Sequence, residues 1–221
     1  MNNKFVGDEG DFSKFYLLKH IVPDSLTLGV NWYLTPPEGE KEWKEWKECK
    51  ECKDADSMLL CEQLHNVDKN VRALETAGIL PSKTIFFSQE LKQSGSERIK
   101  WFEESQKTLA AANVIFCDPD TGIEPSRAGS VKHISFCEIE KYLANGKSVI
   151  IYQHFDRQAD PVKRKLDELR TAFPKFQDIE VFQYKTYYYY IIIQEQHSKI
   201  STAIAKFRKI PNNIFNNPLT S

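Results

Sequence analysis

Two acidic residues and a glycine follow a short apolar run in the middle of the chain. The run is Val114-Ile115-Phe116-Cys117, and it stops at Asp118-Pro119-Asp120-Thr121-Gly122. An apolar run without helical periodicity that ends at turn-forming residues predicts a buried strand entering a tight loop. Loops at such strand ends bind ligands in open α/β sheets. The candidate site residues here are Asp118, Asp120, Thr121 and Gly122. The alternative is a plain turn, because all these residue types favour turns.

A second acidic segment precedes a predicted helix near the start of the chain. The helix is indicated by apolar residues at helical spacing, namely Phe12, Phe15, Tyr16 and Leu18. Asp11 is its expected N-cap, but Gly7-Asp8-Glu9-Gly10 places more acid and glycine ahead of the helix than a cap requires. We therefore expect Asp8, Asp11 and Lys14 to face a ligand at a helix N-terminus. The alternative is a capped, amphipathic first helix without a further role.

A third polar cluster follows another buried strand. The apolar run is Val149-Ile150-Ile151-Tyr152, and the polar residues His154 and Arg157 follow it. A predicted helix over residues 135–144 precedes the run. Because two strands joined through a helix usually run parallel, we expect this strand to be a neighbour of the Asp118 strand and to end at the same edge. His154 and Arg157 would then stand beside Asp118 and Asp120 as candidate catalytic residues. The alternative is a structural histidine.

The cysteines have the ligand types of a zinc site but a poor arrangement for one. Cys49-x-x-Cys52 lies in a segment, residues 40–57, whose alternating Glu and Lys predict a helix. Cys61 and His65 belong to the next predicted helix. A helical CxxC without turn residues is badly shaped for tetrahedral chelation, so we predict incidental thiols and no structural metal site. The odd total of five cysteines argues against a secreted disulfide framework.

Length and composition indicate one ordinary globular domain. The 221 residues fit a single α/β domain over residues 1–210 with a loosely held tail at 211–221. The formal net charge is -1, so a nucleic-acid partner would need a local basic face. No apolar run has the length of a membrane span and no apolar signal core follows Met1, which predicts a cytoplasmic protein without a membrane partner. The oligomeric state stays open.

Predicted strands and helices alternate through most of the chain. One long helix is expected over residues 57–77, and two strands follow each other closely at 179–184 and 186–194. Tyr187 to Tyr190 lie on the last strand, where successive side chains alternate between the two faces, so they are assigned to the core and the sheet surface. This order predicts a three-layer α/β sandwich with a mostly parallel, Rossmann-like sheet and an antiparallel edge.

Four blocks of the sequence resemble an uncharacterised bacterial and prophage protein family. They are Gly7-Asp8-x-Gly10-Asp11-Phe12-x-Lys14, Gly29-Val30-Asn31-Trp32-Tyr33-Leu34, Phe116-x-Asp118-Pro119-Asp120-x-Gly122-Ile123 and Tyr152-Gln153-His154-x-x-Arg157. More remotely, the arrangement is similar to the J-type ribosomal RNA adenine methyltransferases, which carry Asp-Pro-Pro-Tyr after a middle strand. Here Asp120-Thr121 replaces Pro-Tyr, and no glycine-rich S-adenosylmethionine loop follows Leu34. The resemblance implies a methyltransferase-like fold and adds Asn31 and Tyr33 as candidate substrate or cofactor residues.

Three functions are compatible with these residues. The first is a divergent methyltransferase acting on a nucleobase, nucleotide or nucleic acid, in which Asp118 accepts a hydrogen bond from an amino group, as the resemblance implies. The second is a Mg²⁺-dependent phosphodiester or nucleotide hydrolase, in which the acids bind the metal and His154 acts as acid or base. The third is a nucleotide-binding protein without enzymatic activity. S-adenosylmethionine and Mg²⁺ are thus the candidate cofactors, and crowded carboxylates should raise at least one pKa unless nearby cations offset their charge.

Overall fold

The computed structural model of the chain describes residues 1–36, 52, 54–91, 95–124, 130–155, 159–211 and 213–219. Its helices are α1 (Glu9–Ile21), α2 (Ala55–His65), α3 (Val71–Thr76), α4 (Gly95–Thr108), α5 (Phe136–Ala144), α6 (Pro161–Ala172) and α7 (Lys199–Phe207). Its strands are β1 (Leu28–Asn31), β2 (Ile85–Phe87), β3 (Val114–Cys117), β4 (Gly122–Glu124), β5 (His133–Ser135), β6 (Ser148–His154), β7 (Glu180–Tyr184) and β8 (Tyr187–Ile192). Two short 3-10 helices span Asn3–Phe5 and Glu195–His197.

Six of these strands form one mixed sheet in the order β2-β1-β3-β6-β8-β7. Strands β2, β1, β3 and β6 are parallel, and β8 runs antiparallel to both of its neighbours. A separate parallel pair, β4 and β5, extends the loop that follows β3. The predicted three-layer, mostly parallel α/β fold with an antiparallel edge is therefore confirmed.

Two apolar cores lie on the two faces of the sheet. One core joins the sheet to α1, α2, α3 and α7, and we call this the α1 face. The other joins it to α4, α5 and α6, and we call this the α4 face. Because successive strand residues alternate, Phe116 and Ile150 belong to the α1 face while Cys117 and Ile151 belong to the α4 face. The same alternation divides the four tyrosines, with Tyr189 on the α1 face.

The order in which the chain adds strands to the sheet reverses at β1. It passes from β1 to β2 on one side and then returns to β3 on the other side of β1. The carboxyl ends of β1 and β3 therefore flank a topological switch point, where the diverging connections leave a crevice in open α/β sheets. The strand leading to Asp118 pairs in parallel register with the strand leading to His154, so both end at this edge, as predicted.

Helix α1 begins three residues earlier than its predicted cap implied. The N-cap is Asp8, whose Oδ1 accepts a hydrogen bond from Asp11 N at 2.9 Å. Asp11 reaches back instead, and its Oδ2 accepts from Gly7 N at 2.9 Å. Either aspartate could cap the helix locally, but the tertiary fold engages Asp11 elsewhere, so the predicted Asp11 cap is wrong. The predicted apolar positions are buried.

The single helix predicted over residues 57–77 is also wrong, because α2 and α3 are separated by a break. Asn70 caps α3 by accepting from Ala73 N at 3.0 Å, and Asn residues favour such local bonds over a continued helix. Met58 and Leu59, two apolar residues of α2, are 59% and 50% exposed. The apolar pattern thus indicated helical structure correctly but did not show where the helix is interrupted.

Cys52 forms a disulfide with Cys61, a bond that the sequence analysis did not predict. Its partner in the CxxC pair, Cys49, lies outside the described residues, as does most of the charged segment at 40–57. In the described part of the chain, Cys117 and Cys137 are free thiols.

The described part of the C-terminal tail contacts the sheet. Asn216 exchanges two backbone hydrogen bonds with Gln183 of β7, at 2.8 and 3.0 Å. Phe215 is buried and packs edge-on against Phe182. Across the described residues, none of the helices has both the length and the apolar character that a membrane span requires.

Candidate functional site

A cavity of about 340 Å³ opens at the carboxyl edge of the sheet beside the switch point. This volume lies in the range of about 300–1,000 Å³ that small-molecule sites occupy. The 3-10 helix at the start of the chain, the first turns of α1, the loop after β3 and the ends of β6 and β8 enclose it. The lining residues include Lys4, Phe5, Asp8, Gly10, Lys14, Asp118, Asp120, Thr121, Lys132, Tyr152, His154 and Tyr187. Three of the predicted polar segments therefore converge on one space.

Lys14 lies between two carboxylates at the inner end of this cavity. Its Nζ is 3.0 Å from Asp11 Oδ1 and 3.0 Å from Asp118 Oδ2, and all three side chains are buried. Burial alone lowers the pKa of Lys14, but the carboxylates of Asp118 and Asp11 raise it well above its ordinary value. Burial raises the pKa of Asp118, and the charge of Lys14 opposes that rise. Lys14 is thus a fixed internal cation.

Asp8 has a different environment although it is close to the same charges. One oxygen caps α1 and the carboxyl group lines the cavity. Burial and the charge of Asp11 raise the pKa of Asp8 from 3.8 to about 7, while Lys14 partly offsets this rise. A carboxyl group with a pKa near neutrality can accept or release a proton at neutral pH. The pKa of Asp8 is thus raised mainly by burial and in part by the neighbouring carboxylate of Asp11.

Asp120 pairs with a different cation from the one that pairs with Asp118. Its Oδ1 lies 2.8 Å from the α-amino group of Met1, and its Oδ2 accepts from Thr35 Oγ1 at 3.1 Å. Burial raises the pKa of Asp120, but the α-amino group of Met1 and these hydrogen bonds outweigh that effect and lower it. The α-amino group of Met1 also donates to Asp118 O at 2.9 Å, so the first residue lies between the loops after β1 and β3.

Gln153 fixes the loop that carries the acids. Its Oε1 accepts from Ile123 N at 2.8 Å, and its Nε2 donates to Thr121 O at 3.0 Å. The carboxamide lies on Gly122, which has φ 130°, and a Cβ there would stand 2.2 Å from Gln153 Oε1. Both the backbone conformation and the close approach therefore require glycine at this position. Gly122 and Thr121 were predicted site residues, whereas Gln153 was not.

An aromatic wall completes the cavity, and its two tyrosines were not among the predicted site residues. Tyr152 and Tyr187 face each other with ring centroids 5.8 Å apart, and the exposed His154 ring lies 5.6 Å from Tyr187. Lys14 Nζ stands 4.8 Å from the Tyr152 ring centroid. Strand alternation could have indicated Tyr152, because it lies two residues before His154 and shares its face of the strand.

The remaining predicted residues do not join this space. Asn31 and Tyr33 are buried on the α4 face, where Asn31 Nδ2 donates to Tyr142 OH at 3.0 Å and Tyr33 OH donates to Glu138 Oε2 at 3.3 Å. Val30 faces α1, and Asn31 and Tyr33 lie one and three residues after it. Strand alternation therefore turns both side chains to the opposite face. Arg157 lies outside the described residues.

The carboxylates of the cavity do not fit a Mg²⁺ ion. Magnesium requires an octahedral shell of oxygen ligands. Here Asp11 and Asp118 face the Lys14 ammonium group, and Asp120 faces the α-amino group of Met1. Within the described ranges, no group of three His, Cys, Asp or Glu side chains is placed to hold a metal ion.

S-adenosylmethionine does not fit over β1, where the resemblance would place it. The described part of the loop after β1, residues 32–36, contains no glycine. The first residues of the chain pack on this loop, with Thr35 N donating to Met1 O at 2.8 Å and Asn2 Nδ2 donating to Pro36 O at 3.1 Å. The crevice on the β1 side is thus occupied by the protein itself, and the cavity lies over β3, β6 and β8.

Comparison of the chain with known protein families, curated proteins and solved structures gave no match.

Proposed function

We propose that the cavity binds a nucleotide-like ligand. The observation that carries this proposal is the wall of the cavity, where tyrosine rings, carboxylates and lysines line one space of about 340 Å³. Aromatic faces stack nucleobases, carboxylates accept hydrogen bonds from base amino groups, and lysines pair with phosphate. A ligand with a flat polar ring and an anionic group matches all three features.

Each part of the wall has a role in this proposal. The half-buried Tyr187 ring offers a face on which a base can stack. Only Oδ2 of Asp118 contacts Lys14, which leaves Oδ1 to accept from an N–H group of the base. Lys4 and Lys132 are the more exposed cations of the lining and supply the positive charge for a phosphate.

Methyl transfer to a nucleobase is the second candidate function. It is favoured by the position of Asp118 directly after β3 at the switch point, where an acceptor for an amino group would stand. It requires S-adenosylmethionine to bind away from the β1 loop. The Mg²⁺-dependent hydrolase is the least favoured alternative, because the carboxylates are already paired with internal cations.

Thermal shift followed by calorimetric titration tests this proposal. AMP, CMP, GMP, UMP, S-adenosylmethionine and MgCl₂ are added separately to the full chain. A ligand at about 100 times its Kd adds about 2.7 kcal/mol to the free energy of unfolding, which corresponds to several degrees in Tm. We expect at least one nucleotide to produce such a shift. If none does at millimolar concentration, nucleotide binding is excluded, and a shift with S-adenosylmethionine alone supports the second candidate.

Asp118→Asn separates a binding role for the acid from a structural one. The amide keeps an oxygen for Lys14 but loses the charge, so we expect nucleotide affinity to fall by about tenfold or more while the fold is retained. Glu104→Gln is the matched control, since Glu104 forms an exposed ion pair with Lys107. Unchanged nucleotide affinity in Asp118→Asn contradicts the role proposed for this residue.

A further inference from the structure

The side chain of Tyr152 is buried but its hydroxyl group has no hydrogen-bond partner. The residue is 7% exposed and lines the cavity, and the described part of the chain provides no donor or acceptor for this hydroxyl. Tyrosine hydroxyls in protein interiors usually bond a protein group, whereas this hydroxyl is not sealed from solvent and is left open to the cavity. The fold itself gives no reason for a tyrosine here, since phenylalanine would make the same ring contacts.

Several other buried tyrosines follow the usual rule, whereas Tyr188 on the α4 face is buried without a hydroxyl partner among the described residues but does not line this cavity. Tyr189 lies directly opposite Tyr152 in the β6–β8 pair, with ring centroids 5.9 Å apart, and its hydroxyl is 2.5 Å from Ser13 Oγ. Tyr33 and Tyr142 on the α4 face also have hydrogen-bond partners. What distinguishes Tyr152 is that it lines the cavity.

Resting on the proposed nucleotide-binding function, we infer that the Tyr152 hydroxyl donates a hydrogen bond to the base of the bound nucleotide. Fewer donors are offered by the other polar groups at this inner end. Lys14 directs two N–H groups to Asp11 and Asp118 and lies 3.9 Å from Met1 Sδ, and a carboxyl group donates only when it is protonated. Burial raises the pKa of Tyr152 well above its ordinary value, so the hydroxyl keeps its proton.

The same contacts determine which part of the ligand enters first. A group at the inner end must offer an acceptor to Tyr152 beside an N–H donor for Asp8 or Asp118. The hydrogen-bonding edge of a nucleobase presents both, whereas a phosphate presents only acceptors and would face two carboxylates. The base therefore points inward and the phosphate lies toward Lys4 and Lys132.

Two tyrosine-to-phenylalanine substitutions form a matched test. Tyr152→Phe removes a hydroxyl that bonds nothing in the protein, so we expect an unchanged or higher Tm and nucleotide affinity about five- to tenfold weaker. Tyr189→Phe removes an internal hydrogen bond, so we expect unchanged affinity and a Tm lower by about 2–4 °C. Both variants are measured by thermal unfolding and by calorimetric titration with AMP, CMP, GMP and UMP.

Titration with adenosine, cytidine, guanosine and uridine checks the orientation. If Tyr152 contacts the base, the substitution weakens a nucleoside and its monophosphate by the same factor. Weakening of the monophosphate alone would place the hydroxyl at the phosphate and overturn the inference. If the unsubstituted chain binds nucleotides and Tyr152→Phe binds them equally well, the inference fails while the proposed function stands. If the unsubstituted chain binds none, the proposed function fails and the inference fails with it.

Discussion

The two faces of the sheet each bury a cation between acceptors, but they satisfy it differently. On the α4 face, Arg98 makes two bonds to Glu138, at 2.8 and 2.9 Å, and donates to the carbonyls of Ser130 and His133 at 2.8 and 2.6 Å. Glu138 also accepts from Ser135 N and from the Tyr33 hydroxyl. Donors and acceptors are matched on both partners, and the cluster holds the segment around β5 against α4.

On the α1 face, Lys14 is also paired with two carboxylates, but two side chains near it have hydrogen-bonding groups that the described residues do not use. The Asp8 carboxyl has a pKa of about 7, and the Tyr152 hydroxyl has no partner in the described part of the chain. Both groups line the cavity. A buried charge whose neighbours are all satisfied stabilises architecture, whereas unused hydrogen-bonding groups beside a cavity indicate a place for a ligand. The comparison distinguishes the structural cluster from the candidate site.

The largest effect is expected from Arg98→Met. This change leaves Glu138 buried without its cation and removes one donor each from the carbonyls of Ser130 and His133, so the free energy of unfolding should fall by about 3–5 kcal/mol. Denaturant unfolding at pH 7 measures it, with Lys107→Met at an exposed ion pair as the control, where the loss should stay within about 1 kcal/mol. A loss for Arg98→Met as small as that of the control would contradict a structural role for the α4-face cluster.

Lys14→Met should cost less, about 2–3 kcal/mol at pH 7, because Asp118, one of the two carboxyl groups left behind, borders the cavity and can take up a proton. Their pKa values would rise in the folded state, so the folded variant would bind more protons than its unfolded chain. The deficit should therefore shrink as the pH falls from 7.5 to 5.5. Denaturant unfolding at both pH values is the measurement. A deficit that is independent of pH would show that the cavity does not relieve the unpaired charge.

Asp8→Asn should have the smallest effect and one that depends on pH. The folded-state pKa of Asp8 is raised from 3.8 to about 7 by burial and by Asp11, against the charge of Lys14. Between these values the folded chain binds more protons than the unfolded chain, so this group makes the free energy of unfolding fall as the pH rises. Because water screens this half-buried group, we expect a contribution of about 1 kcal/mol, well below the value that the same pKa shift would give for a fully buried carboxyl.

Asparagine caps helices as well as aspartate, so the substitution removes the ionisation and keeps the cap. Asp8→Asn should thus be more stable than the original chain at pH 8 and similar to it near pH 4. Tm values across this range give the comparison, and parallel curves for the two proteins would show that Asp8 ionises normally.

Much of the fold could be predicted from local patterns. The apolar runs ending at Asp118 and His154 indicated buried strands, and the helix between them indicated that these strands are parallel. Boundaries were less predictable. The N-cap of α1 and the break between α2 and α3 depend on tertiary partners, such as the hydrogen bond from Lys69 Nζ to Val6 O at 2.8 Å.

Part of the site could also be predicted from local patterns. Asp8, Lys14, Asp118 and His154 were expected at one edge, and they line one cavity there. Tyr152 and Tyr187 were missed, although strand alternation places Tyr152 on the same face as His154. The alternation also turns Asn31 and Tyr33 to the opposite face, which a resemblance between sequence blocks could not indicate.

The sequence by itself determined the order of strands and helices and the edge at which the acidic loop emerges, because backbone preference and apolar periodicity act over a few residues. Only the tertiary structure decided which charges pair. Lys14 and Asp118 are 104 residues apart in the chain, and their 3.0 Å contact exists only once α1 packs on the sheet. Burial then separates the protonation behaviour of Asp8 from that of Asp120, since pKa shifts depend on solvent exclusion and on charges brought close by the fold.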